Sequence, residues 1–314
     1  MTMTLYRSTD ASAPSLTGET GSLNALLDAI LIDGYGAKAA AGWSVAYSDA
    51  GTKTKCYRPA SGPRHYLQSR DAGPGAASYR EARWRGYVAM SAYDTGTEPF
   101  PTAAQLTNGY IVRKSAALDT TPRAWLACAD DATIALFINA GDTATDHDFY
   151  VFGKFDSWKS ADTYASLISA RITENSYSYT TTQSPHIASG PVNGSYIGAY
   201  APRSFSGLGT SAALYKTFNS TLAASDTNTI DGGAGVTYPS AVDGGILLSP
   251  LYVGESGVIR GVLPGIWRPC HARPVLCYDY FSALDGATTR DWIAINIGAT
   301  GQVMLETSDT WYTA

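Results

Sequence analysis

Reactive side chains are sparse in this chain. It has four histidines (His65, His147, His186, His271) and four cysteines (Cys56, Cys128, Cys270, Cys277). Zinc sites draw their ligands from His and Cys at short recurrent spacings, and only Asp146-His147-Asp148 and Cys270-His271 put candidate ligands side by side. Neither has a ligand spacing. The first reads as a solvated turn and the second as a histidine bonded to a backbone carbonyl, so no metal is expected. A nucleophile elbow needs Gly-x-Ser-x-Gly between a strand and a helix. Gly254-Glu-Ser-Gly257 is one residue short and precedes a strand, so it reads as a turn. There is no phosphate loop and no dinucleotide fingerprint, and no cofactor is expected. Glycan cleavage requires two carboxylates about 5 to 10 Å apart. Asp130, Asp131, Asp146, Asp148 and Asp156 are the acidic residues of that kind, but turns commonly carry acids and no pair stands out. No catalytic residue is assigned, and the expectation is a protein that is not an enzyme.

None of the cysteines forms a C-x-x-C pair, and four are too few for a disulfide scaffold in 314 residues. Buried, reduced thiols are the simplest reading. Cys270 and Cys277 flank HARPVL in a segment stiffened by Pro264, Pro269 and Pro274, which leaves a second state open: a disulfide between them, or between subunits, outside a reducing cell. The 21 tyrosines and seven tryptophans point to binding more than to catalysis, because aromatic rings supply interface area at low entropy cost and stack on sugars. Tyr196, Tyr200 and Tyr215 are the candidate surface-binding aromatics for a host glycan, although many aromatics will be strand residues of the core.

Charged residues make up 16% of the chain, against about 25% in a typical soluble protein. Much of the surface is therefore Ser, Thr, Tyr, Gly and Asn, which suits packing against other proteins. The net charge of −5 argues against nucleic-acid binding, which needs a basic footprint. Arg80, Arg83 and Arg85, with Arg64, Arg70 and Lys55 before them, form the one basic run. Glu81 interrupts it, and it reads as solvated or paired cations rather than a phosphate site. No stretch approaches the ~20 apolar residues of a membrane span, and the N-terminus lacks a charged segment leading into an apolar core. The expectation is a chain made in the cytoplasm with no membrane partner.

Residues 1–40 read as an extended Ser/Thr-rich arm followed by one amphipathic helix from Ser22 to Ile32. Leu23, Leu26, Leu27, Ile30 and Leu31 recur at i, i+3, i+4, i+7 and i+8, a single apolar stripe, with Ser22 as N-cap and Gly34 as stop. A helix of this length is marginal alone. Its stripe must dock on the following β-structure or on a neighbouring subunit, so these five residues are candidate assembly contacts. If the helix docks the arm onto an assembly, truncating residues 1–35 should cost assembly more than folding. Residues 41–172 are a β domain: WSVAYS, KCYRPA, HYLQSR, EARWRGYVAM, YIVRKS, RAWLACAD, ATIALFINA and DFYVFGKF read as strands separated by turn signals. Ala103 to Leu106 reads as a helical turn, and Ser157 to Ile168 as either a helical turn or a loop running into a strand. Residues 173–236 are a loop-rich lobe, the expected site of contacts with other proteins. Residues 237–314 return to strands that complete the same domain, with WIAINI and QVMLET forming a hairpin. The fold class is mainly β, an antiparallel sandwich or barrel with one short N-terminal helix.

Several segments together carry a resemblance: PSLTGETGSLNALLDAILIDGYGAKAAAGW, DTGTEPFPTAAQL, VRKS with RAWLACADDATIALF, FGKFDSW, GVIRGVLPGIWRPCHARP and GQVMLETSDTW. In order and number they resemble a family of virion structural proteins of tailed bacteriophages, over nearly the whole chain. The resemblance implies a noncatalytic head, neck or tail component of a virion assembled in the host cytoplasm. Its implied partners are other copies of itself and portal, neck, tail or capsid proteins. The neck, collar or tail is the expected place, with capsid decoration or a glycan-binding fibre module as alternatives. It gives no catalytic residues to carry over. One departure is Cys270, which stands where an apolar residue is expected before the histidine of WRPCHARP.

Overall fold

The computed structural model describes residues 3–72, 80–141, 147–169, 199–209, 213–216, 245–246, 248–255, 258–269, 275–282, 290–297, 301–308 and 311. Among them the chain is mainly β, with three antiparallel sheets, none closed into a barrel, and one short helical segment. The chain opens with β1 (Thr4–Arg7) and α1 (Ser22–Asp28), which continues as a π-helical turn over Ala29–Asp33. An N-terminal sheet follows: β2 (Ser44–Asp49), β3 (Thr54–Arg58), β4 (Tyr66–Arg70), β5 (Glu81–Ala92) and β6 (Thr95–Phe100), with β7 (Tyr110–Arg113) also pairing β5.

The central sheet has the order β1-β8-β9-β10-β12, using β8 (Trp125–Ala129), β9 (Thr133–Ile138), β10 (Asp148–Lys154) and β12 (Ser166–Ser169). The short β11 (Asp156–Ser157) crosses to the C-terminal sheet, where it pairs with β15 (Val258–Pro269). That sheet also contains β13 (Ala213–Lys216), β14 (Leu248–Glu255), β16 (Tyr280–Ser282), β17 (Asp291–Ile297) and β18 (Gly301–Glu306). The expected hairpin forms, with Ile297 opposite Gly301.

The central sheet is buried on both faces, and the period of two along each strand decides which residue goes where. Ala127, Ile134, Leu136, Tyr150 and Phe152 join one core with the helix and the N-terminal sheet. Their neighbours Leu126, Cys128, Ala135, Phe137 and Val151 join a second core with Leu251, Val253, Ile295, Val303 and Leu305 of the C-terminal sheet. This explains why RAWLACAD, ATIALFINA and DFYVFGKF are almost continuously apolar, as strands covered on both sides are. Ser157 to Ile168 resolves as a loop running into β12.

Two readings of the N-terminus are corrected. The arm is not extended: β1 pairs with β8, Tyr6 is fully buried and donates its hydroxyl to Ala39 O at 2.7 Å, and Arg123 N donates to Leu16 O at 2.7 Å. Of the two docking partners expected for the stripe, the chain's own β-structure is the one found: Leu23, Leu26, Leu27, Ile30 and Leu31 are fully buried in the first core, so they are closed to assembly contacts. Periodicity shows that a helix face is covered and is silent on what covers it. Truncating residues 1–35 therefore removes a strand and a core helix, and folding is the first casualty.

The helix cap also differs from expectation. Ser22 is the first helical residue, and Gly21 holds the N-cap position at φ 87°, a left-handed backbone that glycine adopts without strain. The orphan N–H groups of Leu23 and Asn24 donate to Asp71 Oδ2, at 2.8 and 3.2 Å, from the end of β4. Asp71 Oδ1 in turn accepts from Lys114 Nζ at 2.5 Å, and both side chains are fully buried. Burial raises the Asp71 carboxyl above its ordinary range against the pull of the Lys114 ammonium, and burial likewise lowers Lys114.

Candidate functional site

Most of the side chains singled out in the sequence already have structural work. Asp130 is buried, and its Oδ1 accepts from Ala132 N at 2.8 Å and Thr133 N at 2.7 Å, so it closes the β8–β9 turn. Burial raises its carboxyl above the ordinary range. Asp148 opens β10 opposite Ile138, and Asp156 lies opposite Val262. His147 is buried, with Nε2 2.6 Å from the Tyr278 hydroxyl; Asp146 lies outside the described residues. No group of three or more metal-ligating side chains occurs among the described residues. Glu255 of the Gly254-Glu-Ser-Gly257 segment pairs with Val258 in the β14–β15 hairpin.

The basic run is engaged within the chain. Arg80 Nη1 donates to Ala116 O, Arg85 Nη2 to Leu106 O and Thr107 O, and Arg64 Nε to Pro59 O. Arg70 faces Asp94, Lys55 pairs with Asp28, and Arg83 is buried. Of the candidate glycan-binding tyrosines, Tyr200 is a correction. It is buried in the first core, bridges Ile168 through both backbone groups at 2.9 Å and packs 5.8 Å from Tyr110, so it is closed to a ligand. Tyr215 lies in β13 opposite Tyr252. Tyr196, Cys270, His186 and His271 lie outside the described residues, as does most of the 173–236 lobe apart from residues 199–209 and 213–216. Cys277 is half-buried, with its Sγ 3.4 Å from Asn296 N. No helix among the described residues is long and apolar enough to cross a membrane.

One corner, where β11, the start of β15 and residues 199–209 meet, was anticipated only in part: residues 199–209 belong to the 173–236 lobe expected to make protein contacts, whereas Trp158, Val258 and Ile259 were not singled out. Trp158, Phe205, Leu208, Val258 and Ile259 are all exposed there, Trp158 by 60% and Leu208 by 71%. Scattered exposed apolar residues are ordinary, but these are tied to one frame. Trp158 N donates to Arg260 O at 2.8 Å, and its ring stands edge-on to Tyr252. Lys159 Nζ donates to Phe205 O at 2.6 Å, and Ser204 N to Leu208 O at 2.7 Å.

Beneath the corner lies a buried ion pair. Arg260 donates from Nε and Nη2 to the two carboxylate oxygens of Asp162, both at 2.8 Å, and from Nη1 to Arg203 O at 2.5 Å. Against the desolvation of its position, hydrogen bonds from Arg260 and Ser157 hold Asp162 below the usual carboxylate range. Arg203 pairs with Glu98, donates to Gly207 O at 2.9 Å and lies over the Tyr164 ring at 4.8 Å. Tyr164 stacks on His65, which meets Phe100 edge-on. His65 is buried, and desolvation pulls its imidazole down to about 4. The exposed apolar side chains are therefore presented on a rigid footing. The signal that could have found them is the set of apolar residues beside charges and turns: Trp158 next to Lys159, and Phe205 and Leu208 among Ser and Gly.

No protein-family model matches the chain, and no curated protein is similar to it in sequence.

Proposed function

We propose that this chain is a noncatalytic structural component of a tailed-phage virion, assembling with copies of itself at the head–tail neck, collar or tail. The observation that carries the reading is the exposed apolar corner of Trp158, Phe205, Leu208, Val258 and Ile259 over its buried Arg260–Asp162 footing. Large exposed apolar side chains gathered on one braced frame mark a candidate protein–protein contact surface. The low proportion of charged residues supports the same reading, since charged groups are depleted at interface cores. So does the order of the segments that resemble phage virion proteins. The N-terminal helix has no part in this contact; the corner takes the role that the helix stripe was expected to play.

The test is incorporation into particles. Phage carrying Trp158→Asp and Leu208→Asp together should assemble particles with little or none of this chain, while the soluble variant keeps its fold. Particles that incorporate the double variant at the normal level would overturn the reading, as would particles that never contain the unaltered chain.

A further inference from the structure

The second side of the molecule carries a cleft, about 420 Å³ in volume, where the central and C-terminal sheets meet. Its walls come from the end of β1 and the strand beside it (Arg7, Ser8, Thr9, Trp125) and from the approach to β16 (Tyr278, Tyr280). Register explains the opening: Arg7 lies opposite Leu126 at the end of β1, and Tyr280 lies opposite Ile293 on the edge strand of the other sheet. The volume falls within the range of small-molecule sites.

Four observations characterise what fits there. Tyr278 and Tyr280 are about half exposed, at 45% and 51%, and so present ring surface to the cleft. Within the described residues the Arg7 guanidinium makes no ion pair, and its buried Nε has no hydrogen-bond partner among them. The nearest acid on its own turn, Asp10, accepts from Arg7 N and the Tyr35 hydroxyl and faces Lys38, so among the described residues the Arg7 guanidinium has no carboxylate partner. Lastly, Tyr278 holds a left-handed backbone, φ 73°, which a bulky residue adopts only when its surroundings impose it, and His147 fixes its hydroxyl at 2.6 Å. Among the described residues no carboxylate lines the cleft; Asp291 is a partner of the Tyr280 hydroxyl.

We propose that this cleft binds an acidic saccharide. The ligand carboxylate would receive the unpaired Arg7 guanidinium, whose planar donors match a carboxylate. The pyranose would lie on the Tyr278 and Tyr280 rings, with the Ser8 and Thr9 hydroxyls available to its own. An uncharged sugar would leave Arg7 unpaired, and an acidic peptide would leave the tyrosine faces without a ring to stack on. The site is independent of the apolar corner and of the virion reading, because its residues touch neither.

The full chain can be tested by saturation-transfer NMR and titration with three probes: digalacturonate, the neutral galactose disaccharide, and N-acetyl-Glu-Glu. Digalacturonate should bind, with the neutral sugar weaker by about tenfold or more, since a charge-assisted contact is absent. Arg7→Gln should erase that preference. Tyr280→Ala, a change at an exposed side chain that leaves both cores intact, should weaken digalacturonate binding and keeps the test open should Arg7→Gln fold poorly. Absence of digalacturonate binding would overturn the proposal. Equal binding of the neutral sugar, preference for the peptide, or digalacturonate binding that Tyr280→Ala leaves unaltered would overturn it as well.

Discussion

Two buried ion pairs organise opposite regions of this molecule. Lys114–Asp71 sits at the N-terminus of the helix, and Arg260–Asp162 sits beneath the corner of β11, β15 and residues 199–209. Both have almost no solvent exposure, and both tie a local element to the sheets. They differ in where the tied element puts its apolar side chains. At the first, Leu23, Leu26, Leu27, Ile30 and Leu31 turn inward and vanish into a core. At the second, Trp158, Phe205 and Leu208 turn outward. A buried pair alone is weak support for stability, since its desolvation can offset its attraction. In this chain each pair ties a local element to the sheets, one beside inward packing and the other beneath exposed apolar side chains.

Breaking the inward region has the largest consequence. Deleting residues 1–35 removes β1 and the helix, leaving the β8 edge and one face of the first core bare; circular dichroism and proteolysis should show a chain that does not fold. A chain that folds normally after this deletion would return the segment to the status of an arm. Next in size, Lys114→Ala strands a buried carboxylate against the helix N-terminus and should cost about 3–5 kcal/mol in denaturant unfolding. A loss under about 1 kcal/mol would mean that Asp71 is protonated or hydrated in its place.

A third experiment reads the footing of the outward region through pH. The His65 imidazole titrates near 4 in the folded chain against 6.5 ordinarily, because burial disfavours its cation. Between those values the unfolded chain binds more protons than the folded one. The contribution of His65 is therefore complete above about pH 6.5 and is lost as pH falls toward 4, by up to about 3 kcal/mol. His65→Phe should flatten stability across that window and leave it unchanged at neutral pH to within the effect of repacking. An unaltered slope would place the titrating group elsewhere. The smallest effect on folding belongs to the corner itself: Trp158→Asp, on an exposed side chain, should shift stability by no more than about 0.5 kcal/mol, which separates its effect on assembly from any effect on the fold.

The same contrast explains what the residues revealed in advance. The strand segments, the closing hairpin and the single helix were readable because alternation and 3.6-residue periodicity follow directly from burial. The continuous apolar runs of β8, β9 and β10 hinted at a sheet covered on both faces, but a short apolar run does not say how many layers surround it. The first strand was missed because Leu5 and Tyr6 alone carry its pattern and its partner β8 lies more than a hundred residues away. The helix cap was misassigned to Ser22 for a related reason: the acceptor, Asp71, is distant in sequence and reaches the helix only in the folded chain. Tyr200, a candidate surface aromatic in a loop-rich segment, goes to the core, and Trp158, to which the sequence assigned no role, goes to the surface. Neither outcome follows from residue type, because aromatic rings serve both cores and interfaces.

Self-association through the corner is the claim on which the functional reading stands, and sedimentation equilibrium of the purified full chain tests it most directly. The account predicts a concentration-dependent oligomer for the unaltered chain and a folded monomer for the Trp158→Asp, Leu208→Asp variant. A monomer for the unaltered chain at every concentration, or an oligomer that the double substitution leaves intact, would contradict it.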